Sequence, residues 1–431
     1  MPRTQLAEFM RRMDADSVAI LPSAREATRS NDSNYRYRQN SDFYYLTGFD
    51  EPQSVAVLAP GHKEHKYVLF VRPRDPEREI WDGRRAGVEG AKGEYGADAA
   101  FTIDEFAEKL GDLINGAKNL YYRIGEDREL DDTIVGQIRR MRTMGRRGMQ
   151  PPQAITDPGA ILHEMRLIKT EEEIAIMQRA ADIAAEAHRE AMKAARPGMK
   201  EYEIEALIEY IFRRSGAAAP AYTSIVGGGA NATILHYVNN DATLRDGDLL
   251  LIDAGAEYGG YASDITRTFP INGRFTEAQR DIYGLVLEAQ TACIEMVRPG
   301  VTLEEMHNRS VEILTEGMVR LGLLEGEPRK LIEEEKYKRF YMHRLGHYLG
   351  MDVHDVGRYQ IDGQPRPVEE GFVMTVEPGI YIAQDAEEIP DKYRGIGVRI
   401  EDDVLVTNSG HRVLTSKAPK QIEEIEELTA R

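Results

Sequence analysis

Over the first 145 or so residues, short apolar runs of strand length alternate with amphipathic stretches. VAVLA at 55–59, YVLFV at 67–71 and LYYRI at 120–124 read as strands, and DEFAEKLGDLI reads as a helix. The pattern predicts a compact α/β unit. It fades in GMQPPQAITDPGA, which carries three prolines and little periodicity, so this stretch reads as a linker or long loop. A boundary near 155–165 divides the chain into a smaller N-terminal α/β domain over 1–160 and a second domain over 161–431. Length agrees, because 431 residues exceed the roughly 250 to 300 that one hydrophobic core accommodates.

The second domain repeats a pattern. AHREAMKAARPGMKEYEIEALIEYIFRRSG and AQTACIEMVRPGVTLEEMHNRSVEILTEGMVRLG each read as helix, Arg-Pro-Gly turn, helix. Pro197 and Pro299 stop the first helices, Gly198 and Gly300 supply a permissive backbone, and Thr302 with Glu305 forms a capping box. A strand-rich segment follows each pair, at 221–270 and 340–408. The expected architecture is two αβ halves related by a pseudo-twofold axis, α/β in the α+β sense.

The candidate chemistry lies in those strand-rich segments. In DLLLIDAGAEYGGYASDITRTF, two β-prone runs flank Gly259-Gly260, a hairpin signal. A two-residue turn there sets Gly255 opposite Asp264 and puts Asp253 on the same face, so the two carboxylates become diagonal neighbours. Carboxylates that close repel unless a cation lies between them, which argues for a metal. FYMHRLGHYLGMDVHDVGRY holds three of the ten histidines within twelve residues. His343 and His347 are spaced to share a helix face, but no Glu follows His343, so this is not the HExxH zinc motif. In VMTVEPGIYI, Glu377 ends an apolar strand before a Pro-Gly turn and needs a partner. In GIGVRIEDDVLV, Ile396, Val398 and Ile400 take one strand face and leave Arg399 and Glu401 on the other.

Composition narrows the partners. With 42% hydrophobic and 30% charged residues and no apolar run near the roughly 20 residues that span a bilayer, the reading is a soluble globular protein with no membrane association. The net charge of −18, from 73 acidic against 55 basic residues, disfavours nucleic acid. The N-terminus lacks an apolar h-region, and Cys293, the only cysteine, sits in an apolar helical pattern with no disulfide partner. A reducing cytoplasm is the expected location.

In order and local context, Asp253, Asp264, His347, Glu377 and Glu401 resemble the five metal ligands of the family of aminopeptidase P, prolidase and methionine aminopeptidase, whose catalytic domain is the pita-bread fold. The resemblance covers about 165–425, and QNSDFYYLTGFDEP looks like the N-terminal domain found with aminopeptidase P. It implies two divalent ions, with Asp253 on one, His347 and Glu377 on the other, and Asp264 and Glu401 bridging. Four carboxylates balance two divalent charges. Oxygen ligands with one imidazole and no thiolate suit Mn²⁺ first, then Co²⁺ or Zn²⁺.

The implied activity is hydrolysis of the N-terminal Xaa-Pro bond of peptides by a metal-bridging hydroxide, with Glu377 relaying the proton. His236 and His354 match two substrate-orienting histidines of the family, and Tyr359 and Arg399 are further catalytic carry-overs. Trp81, in the polar stretch REIWDGRRAG, is poorly explained by a local core; the resemblance implies a homodimer or homotetramer in which it walls a neighbouring subunit's pocket. The alternatives are a prolidase, restricted to dipeptides, and an inactive binding relative, which is expected to have lost ligands.

Overall fold

The computed structural model describes residues 2–430, which form two compact units that divide between Met165 and Arg166. In the first unit a mixed sheet runs in the order Ala99–Thr102, Tyr67–Val71, Val55–Leu58, Ser17–Pro22, Asn119–Tyr121 and Ala154–Thr156. Its middle pairings are antiparallel and its outer ones parallel. The helices Phe106–Leu113 and Arg128–Thr143 supply Leu110, Ile134 and Met141 to a core that includes Val57, Phe70 and Leu120.

Two local expectations change here. The strand expected over 120–124 is Asn119–Tyr121 and stops before a turn at Gly125, whose φ of 100° ends the extended run. The presumed linker is partly sheet, because Ala154–Thr156 pairs in parallel with Asn119–Tyr121 as an edge strand. Pro151 and Pro152 precede that strand, so their missing N–H groups cost the ladder nothing.

The second unit is built twice over. Glu171–Ala194 and Glu201–Arg214 form one helix pair, Glu277–Met296 and Leu303–Arg320 the other. Both Arg-Pro-Gly turns have their glycine at φ 94°. The N–H of Gly198 donates to Leu244 O at 2.9 Å, and that of Gly300 to Val368 O at 2.9 Å, so each turn is tied to its own strand segment in the same way. Thr302 and Glu305 form the expected capping box.

After the first pair come three antiparallel strands, Ile225–Gly228, Leu249–Asp253 and Thr266–Pro270. After the second, Val373–Val376 pairs with Asp402–Val406, while the extended stretch 345–349 lies along its other edge through Leu349 N–H to Val373 O, Thr375 N–H to His347 O and Glu377 N–H to Leu345 O. Leu249–Asp253 and Val373–Val376 are buried at every position, which explains their unbroken apolar runs. Ile183, Ile208, Ile252, Phe269, Leu314 and Ile400 belong to the core between helices and strands.

Candidate metal centre

The hairpin that carries the first two carboxylates forms as its glycines dictate. Gly259 and Gly260, at φ 59° and 81°, make a two-residue turn closed by the pair Tyr258 and Tyr261. The same register runs on to pair Asp253 with Thr266, so Asp264 faces Gly255, diagonal to Asp253. Only glycine fits at 255, since a Cβ there meets Ser263 O at 1.7 Å. Asp253 and Asp264 share one hydrogen-bonding partner, Tyr222, whose hydroxyl lies 2.6 Å from Asp253 Oδ1 and also contacts Asp264 Oδ1.

His347 reaches the same point from an extended backbone, not from a helix. Helical spacing with His343 gives way because 345–349 pairs along Val373–Val376, and at Gly346 a Cβ would lie 2.0 Å from Thr375 O. His347 Nδ1 donates to Tyr348 O at 3.0 Å, which turns Nε2 toward Asp264 Oδ2 and Glu377 Oε1, each 3.5 Å away. Glu377 Oε1 also accepts from the Thr375 hydroxyl at 3.3 Å. Glu401 Oε2 accepts from the Thr266 hydroxyl at 2.7 Å. Behind it the buried Arg267 donates to Glu401 O at 2.6 Å and pairs with Asp402 at 2.7 Å, fixing the backbone that presents Glu401.

Arg399 is buried beside these carboxylates. Its Nη2 pairs with Asp253 Oδ2 at 2.6 Å, Nε donates to Thr266 Oγ1 at 3.1 Å and Nη1 to Tyr381 OH at 3.0 Å. One arginine does not balance four carboxylates. Burial pushes the Asp253 and Glu401 carboxyls up, Glu401 well above the carboxylate range, and raises Glu377 to about 7. Burial opposes charging of His347, yet Asp264 and Glu377 raise it to about 9. The site therefore calls for added positive charge. Asp264, His347 and Glu401 offer ligand atoms that all lie within 4.8 Å of one another. Hard oxygens with one imidazole and no thiolate fit divalent ions of the Mn²⁺ to Zn²⁺ range.

Residues 175–408 match Metallopeptidase family M24, and residues 3–121 match the N-terminal domain of aminopeptidase P. The chain belongs to metallopeptidase family M24. It is 47% identical over 429 residues to the Xaa-Pro aminopeptidase of Escherichia coli (strain K12), covering 98% of this chain and 97% of that protein. The solved Pseudomonas aeruginosa aminopeptidase PepP superposes with a TM-score of 0.98 at 52% identity, covering 100% of this chain and 98% of that one. Zinc-substituted E. coli aminopeptidase P in complex with product gives a TM-score of 0.96 at 46% identity, covering 99% and 97%. The two-halved second unit is thus the pita-bread fold of the M24 enzymes.

Within this M24 site the remaining candidates take distinct places. A cavity of about 690 Å³ opens over the five ligand-type side chains, and His236, His343, His354, Tyr359 and Arg399 all line it. His236 and His354 are exposed on its wall, and His354 stands edge-on to His347 with ring centroids 4.4 Å apart. Burial and the neighbouring His347 lower the pKa of His354. The loop carrying His354 is pinned from beneath, where Asp355 accepts from Arg166 at 2.6 Å and Lys169 at 3.1 Å. Tyr359 is 44% exposed, and its hydroxyl is engaged by the N–H of Tyr348 at 3.0 Å while the two rings stack. Trp81 belongs to the first unit, where on the helix Pro76–Asp82 it is 85% exposed, beside Ile80 at 81%.

Sequence reasoning missed Tyr222, Thr266, Thr375 and Tyr381, each of which holds a ligand-type residue or Arg399. Their hydroxyls carry no motif. Tyr222 becomes visible only when the strand at 225–228 is paired with Leu249–Asp253 and brings it against the hairpin.

Proposed function

We propose that the chain is a dinuclear metal-dependent aminopeptidase that hydrolyses the N-terminal Xaa-Pro bond of peptides. The observation that carries this is the convergence of Asp253, Asp264, His347, Glu377 and Glu401 on one cavity walled by His236 and His354. Its likeness to Xaa-Pro aminopeptidases over nearly the whole chain supports the substrate class. Asp253 would hold one ion, His347 and Glu377 the other, and Asp264 and Glu401 would be shared. Mn²⁺ is the expected metal, as the harder choice for a carboxylate-rich set.

Two divalent ions held by these residues would supply acidification of a water and polarisation of the scissile carbonyl. The chain's own residues do the rest. Glu377, steadied by the Thr375 hydroxyl, carries the proton of that water to the departing proline nitrogen. His236 and His354 orient the peptide from the wall of the cavity. Arg399 holds Asp253 in place, and the Tyr359 ring shapes the entrance.

The catalytic domain corresponds to 161–431 and the N-terminal domain to 1–160. Bare apolar surface at Ile80 and Trp81 supports a homodimer or homotetramer in which Trp81 closes a neighbouring subunit's pocket. A cytoplasmic enzyme fits the single buried cysteine.

A substrate panel tests the reading. Xaa-Pro-Yaa tripeptides should be cleaved at least as fast as Xaa-Pro dipeptides, and Trp81→Ala should weaken substrate use without removing metal. Strict preference for dipeptides identifies a prolidase instead, and a fully active monomer ends the shared-pocket proposal.

A further inference from the structure

Glu201 is fully buried in the second unit, yet it lies outside the metal centre. It is the first residue of the helix Glu201–Arg214, where a carboxylate is favoured by the helix dipole. That position does not explain its partners. Oε1 accepts from the N–H of Gly228 at 2.7 Å and from the side-chain amide of Asn231 at 3.0 Å. Oε2 accepts from the Tyr237 hydroxyl at 2.8 Å and from the N–H of Ala242 at 2.8 Å. All four donors belong to one segment, 228–242, and none to the helix that Glu201 begins.

That segment carries His236. Leu235, His236 and Val238 line the cavity, and Ile234, His236, Val238 and Asn239 are exposed. Tyr237, between them, is buried and turned the other way, with its hydroxyl on Glu201. One buried anchor thus sets the direction of the histidine beside it. One further tie lies near the C-terminal end, where Asn240 accepts from Val226 N–H at 3.0 Å and donates to Ser224 O at 2.9 Å. Glu201 holds both ends of the segment through Gly228 and Ala242, and its middle through Asn231 and Tyr237.

We infer that Glu201, acting through Tyr237, is a positioning residue that holds the 228–242 segment so that His236 meets the bound peptide. This rests on the reading of His236 given under the proposed function. Buried donors left without an acceptor are costly, so loss of the carboxylate releases the segment and does not simply weaken one contact. Misplacement of a substrate-orienting group by about 1 Å costs on the order of 100-fold in rate.

The test uses the metal-loaded full chain. Glu201→Gln keeps the shape and turns an NH₂ toward two of the four donors. Amide hydrogen exchange should accelerate at Gly228 and Ala242 while the strand Leu249–Asp253 keeps its protection. Metal content should not change, and kcat/KM on an Xaa-Pro-Yaa tripeptide should fall about 10- to 100-fold. In combination with His236→Ala it should cost little more than His236→Ala alone, a non-additivity that general destabilisation does not produce. Tyr237→Phe, which removes one bond of the four, should move every readout the same way by less and guards against a misfolded Glu201→Gln. Additive losses, or unchanged exchange at Gly228 and Ala242, overturn the proposal while leaving the reading of His236 intact. A wild-type rate for His236→Ala overturns both.

Discussion

Asp253 and Glu377 stand at equivalent positions in the two halves of the second unit. Each lies nine residues beyond the carbonyl, Leu244 or Val368, that receives the N–H of an Arg-Pro-Gly turn, and each stands at the C-terminal end of a fully buried strand, Leu249–Asp253 or Val373–Val376. Their surroundings nonetheless differ. Asp253 is paired with Arg399 at 2.6 Å, whereas Glu377 has the Thr375 hydroxyl at 3.3 Å and faces His347 at 3.5 Å. The duplicated frame supplies two carboxylates with different neighbours, a guanidinium at one and a hydroxyl and an imidazole at the other, and the proposed mechanism gives the proton to the second.

Glu377→Gln should therefore lower kcat by at least about 100-fold, the usual worth of a positioned proton carrier. Folding should survive, because the amide still accepts from Thr375. Steady-state kinetics on a tripeptide, with circular dichroism as the folding control, checks this; near-wild-type turnover refutes the role.

Tyr222 presents one hydroxyl to two carboxylates. Removing it leaves Asp253 and Asp264 without the group that orients both. Groups that orient metal ligands are typically worth about 10- to 100-fold in metal affinity, and Tyr222→Phe should lose affinity in that range. Competition against a chelator of known affinity measures it, and an unchanged dissociation constant removes Tyr222 from the site.

His188 gives the fold a built-in pH dependence. Buried among alanines of its helix and bonded through Nε2 to Ala254 O at 3.0 Å, it has its pKa lowered by burial from 6.5 to about 4. Below pH 6.5 the unfolded chain takes up a proton that the folded chain refuses. The contribution of His188 to stability is therefore complete above that pH and is lost as pH falls toward 4. His188→Leu cannot titrate, so its stability deficit relative to wild type should shrink by about 2 kcal/mol between pH 7 and pH 5 in urea unfolding. A constant deficit contradicts the assignment.

The sequence disclosed the parts of this protein that depend on short-range rules. Gly259-Gly260 determines the hairpin register, and with it the diagonal of Asp253 and Asp264; the two Arg-Pro-Gly turns announce the duplication. Long-range pairing was hidden. The extended backbone of His347 is imposed by Val373–Val376, which begins 26 residues later, and a spacing of four between His343 and His347 says nothing about it. Ala154–Thr156 was equally opaque, since three residues among prolines become a strand only through their partner Asn119–Tyr121. Single hydroxyls such as Tyr222 and Thr375 leave no trace in a linear pattern.

Titration of metal-depleted protein with Mn²⁺ tests the dinuclear site most directly, with turnover of an Xaa-Pro-Yaa tripeptide followed at each addition. Activity should be absent after exhaustive chelation, rise with added metal and level off at two equivalents per chain. Full turnover without metal, or a plateau at one equivalent, contradicts the five-residue dinuclear centre.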